Sequence, residues 1–124
     1  MSPRTGAIDA LASSAVSSPF VDRATQGLYP LGSTFKPIRG LYLAAHAAGG
    51  TSAAVFGKYP VPVAGKTGTA QAPAGSDHSW YASWAPARNP RVVVVVLIEH
   101  GGFGAEAAAP AAREIYSAYF GLKP

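Results

Sequence analysis

"RVVVVVLIE", Arg91 to Glu99, is the stretch on which the reading of the fold turns. β-Branched side chains crowd a helical turn but stand freely on a pleated surface, so the run predicts a strand. It is apolar without alternation, which predicts a central strand covered on both faces. Upstream, "PARNP" (Pro86 to Pro90) is short enough for a hairpin link to a second strand, Ser79 to Ala85. "VAGKTGTAQ", Val63 to Gln71, predicts a third, and the three would form an antiparallel meander. Downstream, the glycine loop Gly101 to Gly104 leads to a helix over Ala108 to Phe120, with Pro110 early and Gly121 as its stop. Ala111, Ile115, Ala118 and Tyr119 would give that helix an apolar stripe toward the sheet.

The N-terminal half reads less directly. "GAIDALAS", Gly6 to Ser13, predicts a short strand, although Ala and Leu suit a helix equally well. After the turn at Pro30 to Gly32, Phe35, Ile38, Leu41, Tyr42 and Ala45 recur on one side of a helix running from Ser33 to about Ala48. Pro37 is tolerated there because it falls in the first turn, and Gly49-Gly50 ends the helix. Thr51 to Pro62 reads as a loop. The expected architecture is α+β: an antiparallel sheet, made of the N-terminal strand and the three-strand meander, flanked by the Ser33 helix and a C-terminal helix.

Composition narrows the function classes. The 124 residues suit one domain, 1–124, and 48% hydrophobic with 13% charged residues describes a globular chain. The formal charge of +4 is spread over scattered Lys and Arg, with no stripe that would track nucleic-acid phosphates. With no cysteine, disulfides, thiol nucleophiles and Cys-ligated zinc are excluded, and the three histidines show no metal-ligand spacing. No metal or cofactor is expected. No run is long and apolar enough to span a bilayer, and no signal-peptide pattern opens the chain, so a soluble protein, cytoplasmic as written, is expected.

Chemistry concentrates in two short motifs. Ser33 and Lys36 in "GSTFKP" are three positions apart, which puts them on one face of a helical turn. Ser33 could simply cap the helix. It could equally be a nucleophile, activated when a lysine of lowered pKa takes its proton. Lys66 in "GKTGT" is the candidate for the second cation that lowers it. The helix N-terminus would aim N–H groups at whatever binds near Ser33, and the glycines around Lys66 would let an acyl group lie close to that strand edge. S-x-x-K and K-T-G are weak signals singly and a strong one together. His46, His78 and His100 read as packing or loop residues. "GGFG" lacks the Lys-Ser or Lys-Thr of a phosphate loop.

"GLYPLGSTFKP", "VAGKTGTAQ", "HSWYASWAP" and "VVVVVLIEHGGFGAEAAAPAAREIY" closely resemble the transpeptidase domain of class B penicillin-binding proteins, and "SPRTGAIDALAS" resembles its opening strand. The resemblance covers nearly the whole chain. It implies Ser33 as the acylated nucleophile, Lys36 as its proton acceptor, and Lys66, Thr67 and Gly68 as the motif that holds a substrate carboxylate. It also implies an oxyanion hole from the N–H groups of Ser33 and Thr69. Family members carry a large helical lobe with an S-x-N motif between the two motifs. Here only Arg39 to Gly65 separates them, without S-x-N, so the chain reads as a truncated transpeptidase-like domain. Tyr59 and Lys58 are candidates to stand in for the lost motif.

Two functions follow as expectations. The first is a promiscuous serine hydrolase acting on small activated esters or other acyl compounds through acyl-Ser33, slowly acylated by penicillins and other β-lactams. The second is a non-catalytic remnant that binds or self-assembles. Surface uncovered by the missing lobe predicts a homo-oligomer, most simply a dimer.

Overall fold

Three consecutive extended segments build the sheet: β1 (Ala64–Ala70), β2 (His78–Ala85) and β3 (Val92–Ile98). They pair antiparallel in the order β1-β2-β3, with Lys66 opposite Ala82 and Ala82 opposite Val95. The computed structural model describes residues 1–11 and 45–123. Among these residues, helix α1 (Ala53–Phe56) precedes the sheet and helix α2 (Ala108–Phe120) follows it. The α+β class, the meander and the C-terminal helix are as the sequence predicts.

One face of the sheet is dry. Gly65 and Thr67 of β1, Tyr81 and Ser83 of β2, and Val94 and Val96 of β3 share it, since side chains alternate along each strand and pair across the register. The Phe56 ring stacks on Tyr81 at 5.4 Å and meets Tyr116 of α2 edge-on at 6.3 Å. The Tyr116 hydroxyl donates to Ser83 Oγ at 2.8 Å, and the Tyr59 hydroxyl lies 3.1 Å from Ser117 Oγ. Each buried hydroxyl has a partner, so the aromatic core carries little desolvation penalty.

Four expectations are corrected. Among the described residues β2 is the central strand and β3 an outer one; Val92 and Val94 are buried under α2, but Val95 is 57% exposed. An unbroken β-branched run reports extended backbone and leaves the strand's place in the sheet open. The expected N-terminal strand does not form over Gly6 to Leu11. Gly6, at φ +73, closes a turn in which Ser2 N–H donates to Ala7 O, and Ile8 and Leu11 remain exposed. The stripe of α2 also differs. Ala108, Ala109, Ala112 and Tyr116 are buried, whereas Ile115 and Tyr119 are 46% and 50% exposed. Alanines let the helix approach the sheet closely and bring Tyr116 over Ser83. Finally, the expected loop Thr51 to Pro62 contains α1.

The helix ends match their glycines. Gly121 adopts φ +66, and Leu122 N–H bonds back to Ser117 O at 2.8 Å. Ala45 and His46 are helical and Gly49 turns at φ +80; the rest of the expected Ser33 helix lies outside the described residues.

Candidate active site

Among the described residues β1 is the other outer strand of the sheet, and the sequence "AGKTGTA" places a cation and two hydroxyls along it. Lys66 Nζ donates to Thr67 O at 2.8 Å and to Thr67 Oγ1 at 3.2 Å. The ammonium therefore curls back over its own strand and sits beside the Thr67 hydroxyl. An ammonium and an adjacent hydroxyl donor suit a carboxylate, because both polarise toward negative charge. Thr67 is 8% exposed and Lys66 half-buried, so the pair is partly shielded from water.

The strand is held in place from both sides. A Cβ on Gly65 would collide with the Tyr81 hydroxyl and come within 2.8 Å of Ser83 Cβ. Glycine is required there, because the Tyr81 hydroxyl passes beneath it to reach Ser52 Oγ at 3.1 Å. Burial pushes the Tyr81 phenol up to about 12, partly offset by that Ser52 bond, so it remains a neutral partner. His46 Nε2 accepts the Val63 N–H at 2.9 Å and so fixes the approach to β1. Partial burial lowers the His46 pKa, consistent with an unprotonated acceptor nitrogen.

The "GGFG" loop, set aside as a failed phosphate cradle, abuts the same strand. Gly104 N–H meets Thr69 Oγ1 at 3.4 Å, and a Cβ on Gly104 would come within 2.6 Å of Gly68 O. Ser79 Oγ donates to Phe103 O and accepts the Ala108 N–H, both at 3.1 Å, which ties the loop to β2 and to the start of α2. Phe103 itself is 64% exposed. The small residue at 104 was the available signal, since only close backbone approach demands it.

Of the expected site residues, Lys66, Thr67, Gly68 and Thr69 are brought together on β1, whereas Ser33 and Lys36 lie outside the described residues. Tyr59 does not stand in for a missing motif. Its hydroxyl is spent on Ser117 and its ring on Phe56, in the core, while Lys58 is exposed. His78 and His100 pair at the far end of β2, with His100 N–H donating to His78 Nδ1 at 3.2 Å. Among the described residues no cluster of His, Cys, Asp or Glu could hold a metal, and no helix is long and apolar enough to cross a membrane.

Comparison with known proteins converges on one family. The penicillin binding protein transpeptidase domain model matches residues 38–117. The chain is 38% identical over 96 residues to the peptidoglycan D,D-transpeptidase MrdA of Haemophilus influenzae, covering 65% of this chain and 15% of that protein. It is 42% identical over 69 residues to the peptidoglycan D,D-transpeptidase PbpA of Mycolicibacterium smegmatis, covering 47% of this chain and 14% of that one. Among solved structures, Pseudomonas aeruginosa PBP2 in complex with WCK 5153 is similar with a TM-score of 0.62 and 35% identity, over 66% of this chain and 18% of that chain. The chain thus spans a small fraction of the length of each relative.

Proposed function

The chain belongs to the penicillin-binding-protein transpeptidase family, and from that premise we propose that it is a serine hydrolase of small activated esters, working through an acyl-Ser33 intermediate within a single truncated unit, 1–124. The observation that carries this reading is the Lys66 ammonium beside the Thr67 hydroxyl on an edge strand, in a chain that also holds Ser33 three residues before Lys36.

The chemistry balances without a cofactor. Ser33 Oγ adds to the acyl carbonyl while its proton passes to Lys36 Nζ. The bond to the leaving alcohol then breaks, and the alcohol oxygen takes that proton. Water repeats the sequence on acyl-Ser33, releasing the acid and restoring the hydroxyl. With Lys36 beside β1, Lys66 would disfavour a second positive charge there and so support a neutral Lys36. N–H groups of Ser33 and Thr69 would hold the oxyanion. Lys66 and Thr67 would hold a substrate carboxylate, which brings penicillins within reach as acylating agents.

Ser33→Ala should abolish ester hydrolysis with an unchanged circular dichroism spectrum, and intact mass after a fluorophosphonate should show an adduct on the parent chain alone. A mutant that still hydrolyses p-nitrophenyl esters would refute Ser33 as nucleophile. The second reading, a non-catalytic remnant, is favoured by the short Arg39 to Gly65 connection in place of a lobe. It predicts no adduct at all.

A further inference from the structure

We infer that His46 is a positioning residue for the candidate site: its neutral imidazole ties the stretch that follows Lys36 to the start of β1, and acid releases the tie. The inference deepens the acyl-transfer reading and rests on it for the effect on rate.

One hydrogen bond closes the connection between the two motifs. Val63 N–H donates to His46 Nε2 at 2.9 Å across 17 positions, with His46 after the Ser33–Lys36 motif and Val63 three residues before Lys66. Both ends are anchored. Val63 and Ala45, the neighbour of His46, are 0% exposed and belong to one core cluster with Phe56 and Tyr81. The ladder to β2 begins at Ala64, opposite Trp84, so the Val63 N–H takes a side chain as its acceptor. Just before Val63, Pro62 O accepts the Ala87 N–H at 2.7 Å. A buried N–H left without an acceptor is costly, so the imidazole holds the entry to β1 in one place.

The acceptor role fixes the state of the ring. With Nε2 accepting, the one proton of the neutral imidazole is on Nδ1. A second proton would sit on Nε2 and set N–H against N–H, so the imidazolium cannot keep the Val63 bond. Burial lowers the His46 pKa, which favours the neutral, accepting form near neutral pH. The described charges around the bond act the same way. Between Ala45 and Gly65 the one charged side chain besides the histidine is the exposed Lys58. Lys66 follows on β1, the exposed Arg88 follows Ala87, and β2 carries no charge from Ser79 to Ala85. All three are cations, which disfavour a further positive charge. The phenols of Tyr59 and Tyr81 are held by Ser117 and Ser52. Protonation of His46 therefore gives up the tie, and the position of Lys66 and Thr67 relative to the stretch from Lys36 onward is no longer fixed by it.

The test uses the whole chain and two variants. His46→Gln offers an amide oxygen to the Val63 N–H without a titrating ring, and His46→Leu keeps bulk but no acceptor. The first readout needs no catalysis. As pH falls from about 8 to about 5, the Val63 amide signal in NMR should move together with the His46 ring, and should stay level in His46→Gln. Stability has the same sign: with the folded pKa below the ordinary 6.5, the contribution of the ring is complete above pH 6.5 and declines below it. Urea midpoints of the parent should therefore fall in acid more than those of His46→Gln. The second readout is acylation by nitrocefin, which engages the carboxylate contact on β1. Relative to each chain's own rate at about pH 8, the loss at about pH 5 should be several-fold greater in the parent than in His46→Gln. His46→Leu should be slower than His46→Gln at both pH values; if it fails to fold, the parent and His46→Gln carry the test. A Val63 amide that ignores the ring, or an acid loss identical in parent and His46→Gln, would overturn the inference. A Val63 amide that follows the ring in a chain that nitrocefin never acylates would confirm the tie and overturn the acyl-transfer reading alone.

Discussion

At the scale of single residues, the β1 site depends on groups that do no chemistry. Gly65 leaves room for the Tyr81 hydroxyl, and Tyr81 in turn holds Ser52. Gly65→Ala should cost about 1–3 kcal/mol by overpacking against that phenol, read as a lower thermal midpoint, and should disturb β1 in the same stroke. A midpoint equal to the parent's would mean that Tyr81 swings aside freely. Tyr81 also sets an alkaline limit on stability. Its pKa rises from 10.0 to about 12 on folding, chiefly by burial. The neutral phenol is thus favoured in the folded state, so its contribution is complete below pH 10 and declines as pH climbs toward 12. Urea midpoints measured across that window should fall, and Tyr81→Phe should flatten part of the slope. A profile unchanged by the substitution would assign the loss to other groups.

At the scale of elements, α2 shows how a correct helix can be given the wrong face. Its ends were legible, because Pro110 and Gly121 act locally through backbone geometry. Its buried face was not. Ile115 and Tyr119 are larger and more apolar than Ala108 and Ala112, yet the alanines are the residues at 0% exposure. Closeness to the sheet, set by what Tyr116 must reach, outweighed side-chain hydrophobicity. Ala112→Leu should therefore destabilise by about 1–3 kcal/mol, while Ile115→Gln should change stability by no more than ~0.5 kcal/mol. Chemical denaturation of the pair would decide it, and the reverse order would restore the stripe expected from sequence. β3 carries the same lesson: composition made it a strand, but its neighbours are a non-local matter. In the candidate site, the placement of Lys66, Thr67, Gly68 and Thr69 along one strand was legible because a short motif carries its own spacing. The Gly104 approach was not, since it joins positions far apart in sequence.

At the scale of the whole molecule, what surrounds the reacting carbonyl decides how selective the chemistry is. Selectivity by orders of magnitude requires a shaped pocket with several converging contacts. Between its two motifs this chain has only Arg39 to Gly65 with which to build one, and Tyr59, the aromatic in that connection expected nearest the site, is committed to the core. Hydrolysis should therefore be broad and slow, best on short esters with good leaving groups. β-Lactams separate the steps. Lys66 and Thr67 supply the carboxylate contact that favours acylation of Ser33, yet a deacylating water needs a base. Glu99 and Glu106 follow the last strand in the chain and belong to neither motif. A bulky acyl group would shield its ester, whereas a butyryl group would leave it open to water. Nitrocefin should accordingly give about one turnover per chain and then inhibit, while p-nitrophenyl butyrate turns over repeatedly. Lys66→Ala should slow nitrocefin acylation more than butyrate hydrolysis, because only the former presents a carboxylate. Rapid multiple-turnover nitrocefin cleavage beside negligible ester hydrolysis would mean that a water-activating base lies at the site after all.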